Sequence, residues 1–378
     1  MPARPIVTTS TEAATVGVFG SATGREELEQ IEASVLGGWM GMGPKVKEFE
    51  AAFADRLDAD FAMTDSGSNA LQLAVAALDL PPGSDVVLPS FTWVACANAV
   101  VLAGHRPVFA DVELETGNVD VAAVQAVATD RTRAVMVVHY AGKPVDLTPI
   151  VELGLPVIED AAHAVDSGSH GRPCGTLGDV GVFSFDAVKN LATPDGGGIT
   201  SARPEVMERV RRLRYCGIGG SGFERSRENA RWWEHGSVEP FPRAIPNDVS
   251  AGIGLAQLQR LAENQSRRRA VWDRYGRELA DVRWLALPVP TGPGERHSYF
   301  TYLVRVVDGR RDELARHLLE AGIYTTLRYP ALHLVYPNGT GRSLPNAELL
   351  SEQGLNLPLH PRLGGDDVTR VIEAVRSF

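Results

Sequence analysis

The chain has 378 residues, 44% hydrophobic and 22% charged, a globular composition that excludes disordered and fibrous classes and favours two closely packed domains. Its formal charge of −10 repels phosphate backbones and disfavours a nucleic-acid partner. No apolar run approaches the ~20 residues of a membrane span, and MPARPIVTTS lacks the apolar segment of a secretory leader, so a cytoplasmic protein with no membrane partner is expected.

Helical spacing occupies residues 24–36 and 45–57, on either side of the Gly-rich loop GGWMGMGP. Short apolar runs then alternate with helical patterns. DVVLPS (85–90) precedes a helix across 93–103, and PVFADV (107–112) follows it. AVMVVHY (134–140) precedes a helix near 147–153, and PVIED (156–160) comes next. Continuously apolar strands with helices between them predict an α/β fold with a mostly parallel sheet covered on both faces. GDVGVFSFD and GGGITSA add two strands without a long intervening helix, which predicts a mixed edge. Residues 216–246 are glycine-rich, charged and proline-punctuated, and read as an extended arm. An amphipathic helix starts at Asn247-Asp248, and YLVRVV, a helix at 311–321, IYTTLRY and a helix at 366–377 complete a smaller α+β unit. The expected division is therefore 1–246, a large domain with its arm, and 247–378, a small domain entered by the long helix.

Four segments carry candidate chemistry, because ligands of open α/β sheets bind at the carboxyl ends of the strands. TDSGSNALQLA (64–74) places Gly67, Ser68 and Asn69 at a helix start, where free N–H groups and the helix dipole favour a phosphate; alone it also reads as an ordinary N-cap. PSFTWVACANAV (89–100) puts Trp93 at a helix start beyond a strand, as a stacking platform or as core. VIEDAAHA (157–164) ends a buried strand on Asp160, a carboxylate that faces a cation or strong donors there or else caps the next helix, with His163 three residues on as a site residue or a structural hydrogen-bonder. GVFSFDAVKNLATPDGGGI (181–199) carries Ser184 and, just beyond the strand, Lys189.

Lysine is otherwise scarce: the chain has only Lys45, Lys47, Lys143 and Lys189, and arginine supplies the remaining basic residues. A guanidinium can replace an ammonium on a wet surface but cannot condense with a carbonyl, so each lysine is a candidate for chemistry arginine cannot perform. Cys96, Cys174 and Cys216 lie far apart with no CxxC pair, which points away from disulfides and from a metal site. A phosphate cradle, a strand-end carboxylate, an aromatic platform and a carbonyl-reactive lysine together match what pyridoxal 5'-phosphate requires. A nicotinamide enzyme would need GxGxxG after the first strand, and GVFGSATG (17–24) has neither that spacing nor that context; a serine hydrolase would need a GxSxG elbow, which is not found.

With these motifs the chain resembles the DegT/DnrJ/EryC1/StrS sugar aminotransferases of pyridoxal-phosphate fold type I. The resemblance runs from GGWMGMGPKVKEFEAAFA through DSGSNAL, PSFTWVACANAV, VIEDAAHA and FSFDAVKNLATPDGGG to VSAGIGLAQLQRL, YPALH and LNLPLHP. It implies Lys189 as the lysine that holds the cofactor's aldehyde and shuttles a proton, and Asp160 as the partner of the pyridinium. It further implies His163 beside the phenolic oxygen, Gly67, Ser68, Asn69 and Ser184 at the phosphate, and Trp93 against the ring. Two stretches differ. The family's GYNYRM-like segment, whose Asn reaches the partner subunit's phosphate, places Arg243 at that position, where it can bind the cofactor phosphate or turn toward a substrate phosphate, and RYCG (214–217) replaces an RNHG-like stretch. Retention of Lys189 disfavours the dehydratase branch, which has lost it.

The implied activity is transfer of an amino group from L-glutamate or a similar donor to a keto sugar. A nucleotide-linked keto-deoxyhexose of secondary metabolism, such as antibiotic biosynthesis, or of glycan biosynthesis is the leading acceptor, with arginines at 214–243 and Arg328 as candidates for its diphosphate. A free cyclitol or sugar ketone is the alternative acceptor, and a non-catalytic pyridoxal-phosphate sensor the alternative of another class. A homodimer with sites completed across the interface is expected.

Overall fold

In the computed structural model the described residues are 15–218, 236–237, 239–327, 329–337 and 341–378. Most of the expected arm, and Arg328, lie outside them.

A seven-stranded sheet forms the centre. Its strands are β1 (Phe61–Thr64), β2 (Asp85–Pro89), β3 (Arg106–Ala110), β4 (Thr132–Val138), β5 (Val157–Asp160), β8 (Val180–Ser184) and β9 (Gly197–Thr200), with the two-residue β6 (Gly168–Ser169), β7 (Arg172–Pro173) and β11 (Glu295–Arg296) forming a separate three-stranded ribbon. The spatial order is β1, β9, β8, β5, β4, β2, β3. Pairing is parallel from β3 through β8, whereas β9 runs antiparallel to both neighbours. The mixed edge follows from the connections: parallel neighbours are usually joined by a crossover helix, and the twelve residues between β8 and β9 (185–196) form none.

Helices cover both faces, which explains strands such as VVLP and VGVFS with no exposed side. One core packs the helices Gly67–Ala77, Val94–Leu102 and Pro204–Leu213 onto the sheet, and a smaller one lies under Val121–Val127. A third is aromatic: Phe53 of the helix Pro44–Leu57 meets Phe61 at 4.6 Å and Phe183 at 5.1 Å between ring centroids. That helix is held at its start by Asp248, whose buried carboxylate accepts from Gly43 N at 2.9 Å and Val46 N at 3.0 Å.

A smaller antiparallel sheet of β10 (Leu285–Ala286), β12 (Tyr302–Val306) and β13 (Gly354–Leu357) carries its own core under the helices Leu261–Glu278, Arg311–Glu320 and Gly365–Arg376. IYTTLRY, expected to contribute to this unit, makes among its described residues only isolated bridges, at Ile323 and Thr326. The third strand is instead GLNL, whose Asn356 accepts from Thr301 Oγ1 at 2.8 Å and donates to Thr326 O at 3.1 Å. Asn247 caps the helix Asp248–Gln259, accepting from Ser250 N at 2.8 Å, and that helix packs on the two N-terminal helices. Leu261 belongs to the aromatic core and Val271, Trp272 and Tyr275 to the smaller one, so a single helix passes between them. We propose that the two units hand over along this helix, beyond the 246/247 division expected from composition.

Candidate functional site

The carboxyl ends of the parallel strands open into a cavity of about 460 Å³. Gly67, Ser68, Trp93, Asp160, His163, Ser184 and Lys189 line it, so seven of the nine residues singled out in the sequence converge there. Asn69 and Arg243 do not line it. Asn69 turns back, donating from Nδ2 to both Asp65 oxygens at 2.9 and 3.0 Å, and Arg243 is exposed on a segment bridged to Tyr215.

β1 ends at Thr64, and Ser66 caps the next helix by accepting from Asn69 N at 3.2 Å. The first turn of a helix has N–H groups without intrahelical acceptors, and here Gly67 and Ser68, which carry two of them, line the cavity. Gly67 is required by contact: a Cβ would lie 2.7 Å from Ser184 Cβ and 2.9 Å from its Oγ. The glycine lets the helix start rest directly against the end of β8.

The two acids of VIED take different parts because strand side chains alternate between faces. Glu159 is fully satisfied on the far side, accepting from Gly175 N at 2.7 Å, Leu177 N at 2.6 Å, Gly178 N at 2.5 Å and His139 Nε2 at 2.8 Å. Val145 N donates to His139 Nδ1 at 3.0 Å, so the proton of that buried imidazole lies on Nε2, toward Glu159. Asp160 is 4% exposed and accepts from Ala162 N on Oδ1 at 3.0 Å and from the Cys96 thiol on Oδ2 at 3.2 Å. A carboxylate has about four acceptor positions, so capacity remains for a donor in the cavity.

Lys189 lies in the loop between β8 and β9, partly buried, with Nζ 4.9 Å from the centre of the Phe300 ring. The loop is pinned on both sides of it: Val188 N donates to Asp186 Oδ1 at 3.1 Å, and buried Asn190 donates to Gln265 Oε1 at 3.1 Å and Ser298 O at 2.5 Å. His163 stacks on Phe300 at 4.1 Å, and its Nε2 lies 2.9 Å from the Tyr329 hydroxyl. Phe300 and Tyr329 were not read as site residues from the sequence, although YPALH begins at Tyr329. Trp93 is the N-cap residue of its helix and 52% exposed, on the rim rather than in the core. Near the helix start, partial desolvation raises the carboxyl pKa of Asp195, and the charges of Asp186 and Asp65 add to it.

Arg214, one of the arginines considered for a substrate diphosphate, is 5% exposed and donates to Glu50 Oε1 at 2.5 Å and Met63 O at 2.6 Å. It clamps β1 instead. Among the described residues no helix is long and apolar enough to cross a membrane.

Comparison with known proteins shows the family of the chain. The family model "DegT/DnrJ/EryC1/StrS aminotransferase family" matches residues 21–376. A dTDP-4-dehydro-2,3,6-trideoxy-D-glucose 4-aminotransferase of Saccharopolyspora spinosa is 42% identical over 358 residues, 93% of each chain. The aminotransferase TlmJ of Streptoalloteichus hindustanus superposes with a TM-score of 0.91 at 42% identity, over 96% of this chain and 98% of that one. The sugar aminotransferase Spr1654 of Streptococcus pneumoniae, described as putative and solved in its PMP-form, gives 0.89 at 25% identity over 95% and 98%. The mostly parallel sheet with its smaller C-terminal unit is the fold type I architecture, and the chain belongs to the DegT/DnrJ/EryC1/StrS aminotransferase family.

Proposed function

We propose that this aminotransferase uses pyridoxal 5'-phosphate to move an amino group from L-glutamate or a similar donor to a nucleotide-linked keto-deoxyhexose in secondary metabolism. One observation carries the reading: Lys189, Asp160 and the helix start at Gly67 line one cavity at the strand ends. The residues fit the cofactor. Asp160 has an acceptor position left toward the cavity, the Gly67 turn supplies N–H donors for a phosphate, and Trp93 offers an aromatic face. The 42% identical relative, named for a dTDP-linked keto sugar, supports the acceptor class.

When bound, the cofactor supplies an electron sink that stabilises negative charge on the donor's Cα. Asp160 keeps the ring nitrogen protonated, and its burial strengthens that pairing. Lys189 would hold the aldehyde carbon at rest and, once the donor's amine takes its place there, its freed Nζ would take the Cα proton and return it. The pinned loop around Asn190 fixes where that amine can reach. His163, oriented by Tyr329 and Phe300, would hold the phenolic oxygen, and Ser68 and Ser184 would hold the phosphate. Three carboxylates, Asp65, Asp186 and Asp195, adjoin this end of the cavity, so a phosphate there benefits from an added cation. We assign that cation to Arg243, exposed on its own chain, of a neighbouring copy in a cytoplasmic homodimer.

Gly67→Ala tests the cradle. The new methyl must displace either Ser184 or the helix start, so affinity for the cofactor falls by about 10-fold or more, measured by titrating apoprotein with pyridoxal phosphate. For the acceptor, ¹⁵N-glutamate is incubated with a dTDP-4-keto-6-deoxyhexose or with a free inosose. Label entering only the nucleotide sugar is expected; label entering only the cyclitol contradicts the proposed substrate class.

A further inference from the structure

We propose that Cys96 is a positioning residue for Asp160, its thiol holding the carboxylate from behind so that the remaining acceptor position points into the cavity. The inference rests on the role proposed above for Asp160.

The first turn of the helix Val94–Leu102 has two tasks. Trp93 caps it and projects to the rim, while Thr92 and Cys96, one turn apart, face inward and are 1% and 0% exposed. Thr92 Oγ1 lies 3.3 Å from Cys96 Sγ, and Cys96 Sγ lies 3.2 Å from Asp160 Oδ2. A carboxylate only accepts, so the S–H points at Oδ2, and the threonine hydroxyl then donates to the sulfur. With Ala162 N on Oδ1, each oxygen has one partner on the protein side, which fixes the plane of the group. Burial pushes the Cys96 thiol well up from its ordinary value, and the Asp160 charge adds to this, so the sulfur keeps its proton as a donor. Neither of the other cysteines has this setting: Cys174 sits in the aromatic core and Cys216 is partly exposed.

Cys96 also fills space in the first core, so packing must be separated from hydrogen bonding. Alanine and serine leave nearly the same volume, but only serine can donate. With full-length protein titrated with pyridoxal phosphate, Cys96→Ala should weaken binding about 5- to 10-fold and shift the pH midpoint of the visible band, while Cys96→Ser restores both to within about 2-fold. In an Asp160→Asn background the same Cys96→Ala change should cost less than about 2-fold, because the thiol acts through the carboxylate. Thermal melts confirm that each variant folds. Equal losses for alanine and serine, or an equal loss in both backgrounds, would reduce Cys96 to packing and overturn the proposal. Failure of the unaltered protein to bind pyridoxal phosphate would instead remove the role of Asp160, and this inference with it.

Discussion

Lys189→Ala is expected to lower turnover by at least about 10³-fold while leaving the thermal midpoint within a few degrees, because it removes the amine that holds the cofactor and moves the Cα proton. The other lysines cannot substitute. Lys143 is paired with Glu295 at 2.7 Å, Lys45 with Glu48 at 3.2 Å, and Lys47 lies exposed on the helix Pro44–Leu57. The fold should tolerate the change, since the loop is anchored by Asn190 and by Thr193, whose hydroxyl donates to Phe185 O at 3.0 Å. Borohydride treatment followed by peptide mass analysis gives a readout independent of turnover. The cofactor mass should become fixed to the Lys189 peptide in the unaltered protein and to no peptide in the variant. Substantial residual transamination, or fixation at another lysine, would refute the assignment.

Asp160→Asn should reduce turnover by about 10²- to 10³-fold with a smaller effect on the donor's KM. The amide has nearly the same shape and can keep its contact with Ala162 N, but it carries no charge to hold the ring nitrogen's proton. The electron sink weakens while the cavity keeps its form. Steady-state kinetics with glutamate measure the split, and an unchanged kcat would show that Asp160 does not face the ring nitrogen. By contrast, Glu159 bonds three backbone N–H groups and His139 behind the sheet, so Glu159→Gln should act chiefly through stability.

The strand-end motifs were legible because local chemistry demands them. A carboxylate at the end of an apolar strand, a glycine at a helix start and a lysine before a Gly-rich return each break a pattern that packing alone would set. What the sequence did not reveal depends on distant contacts. Tyr329 meets His163 across 166 positions, and Phe300 stacks under the same ring, yet both are ordinary core aromatics by local pattern. Asn69 matches a phosphate-binding motif by position, but four residues upstream Asp65 supplies two acceptors that claim its amide. Arg214 reads as a candidate for a substrate diphosphate until the fold brings Glu50 and Met63 to it. IYTTLRY has strand-like composition, and the buried run GLNL takes the place beside β12.

The most direct test is the absorption spectrum of the purified protein, reconstituted with pyridoxal phosphate, before and after addition of L-glutamate. A visible band that gives way to the near-ultraviolet band of the pyridoxamine form is the predicted result, since it requires the cofactor, the lysine attachment and amino-group transfer at once. A protein that shows no visible band after reconstitution would contradict the proposed site.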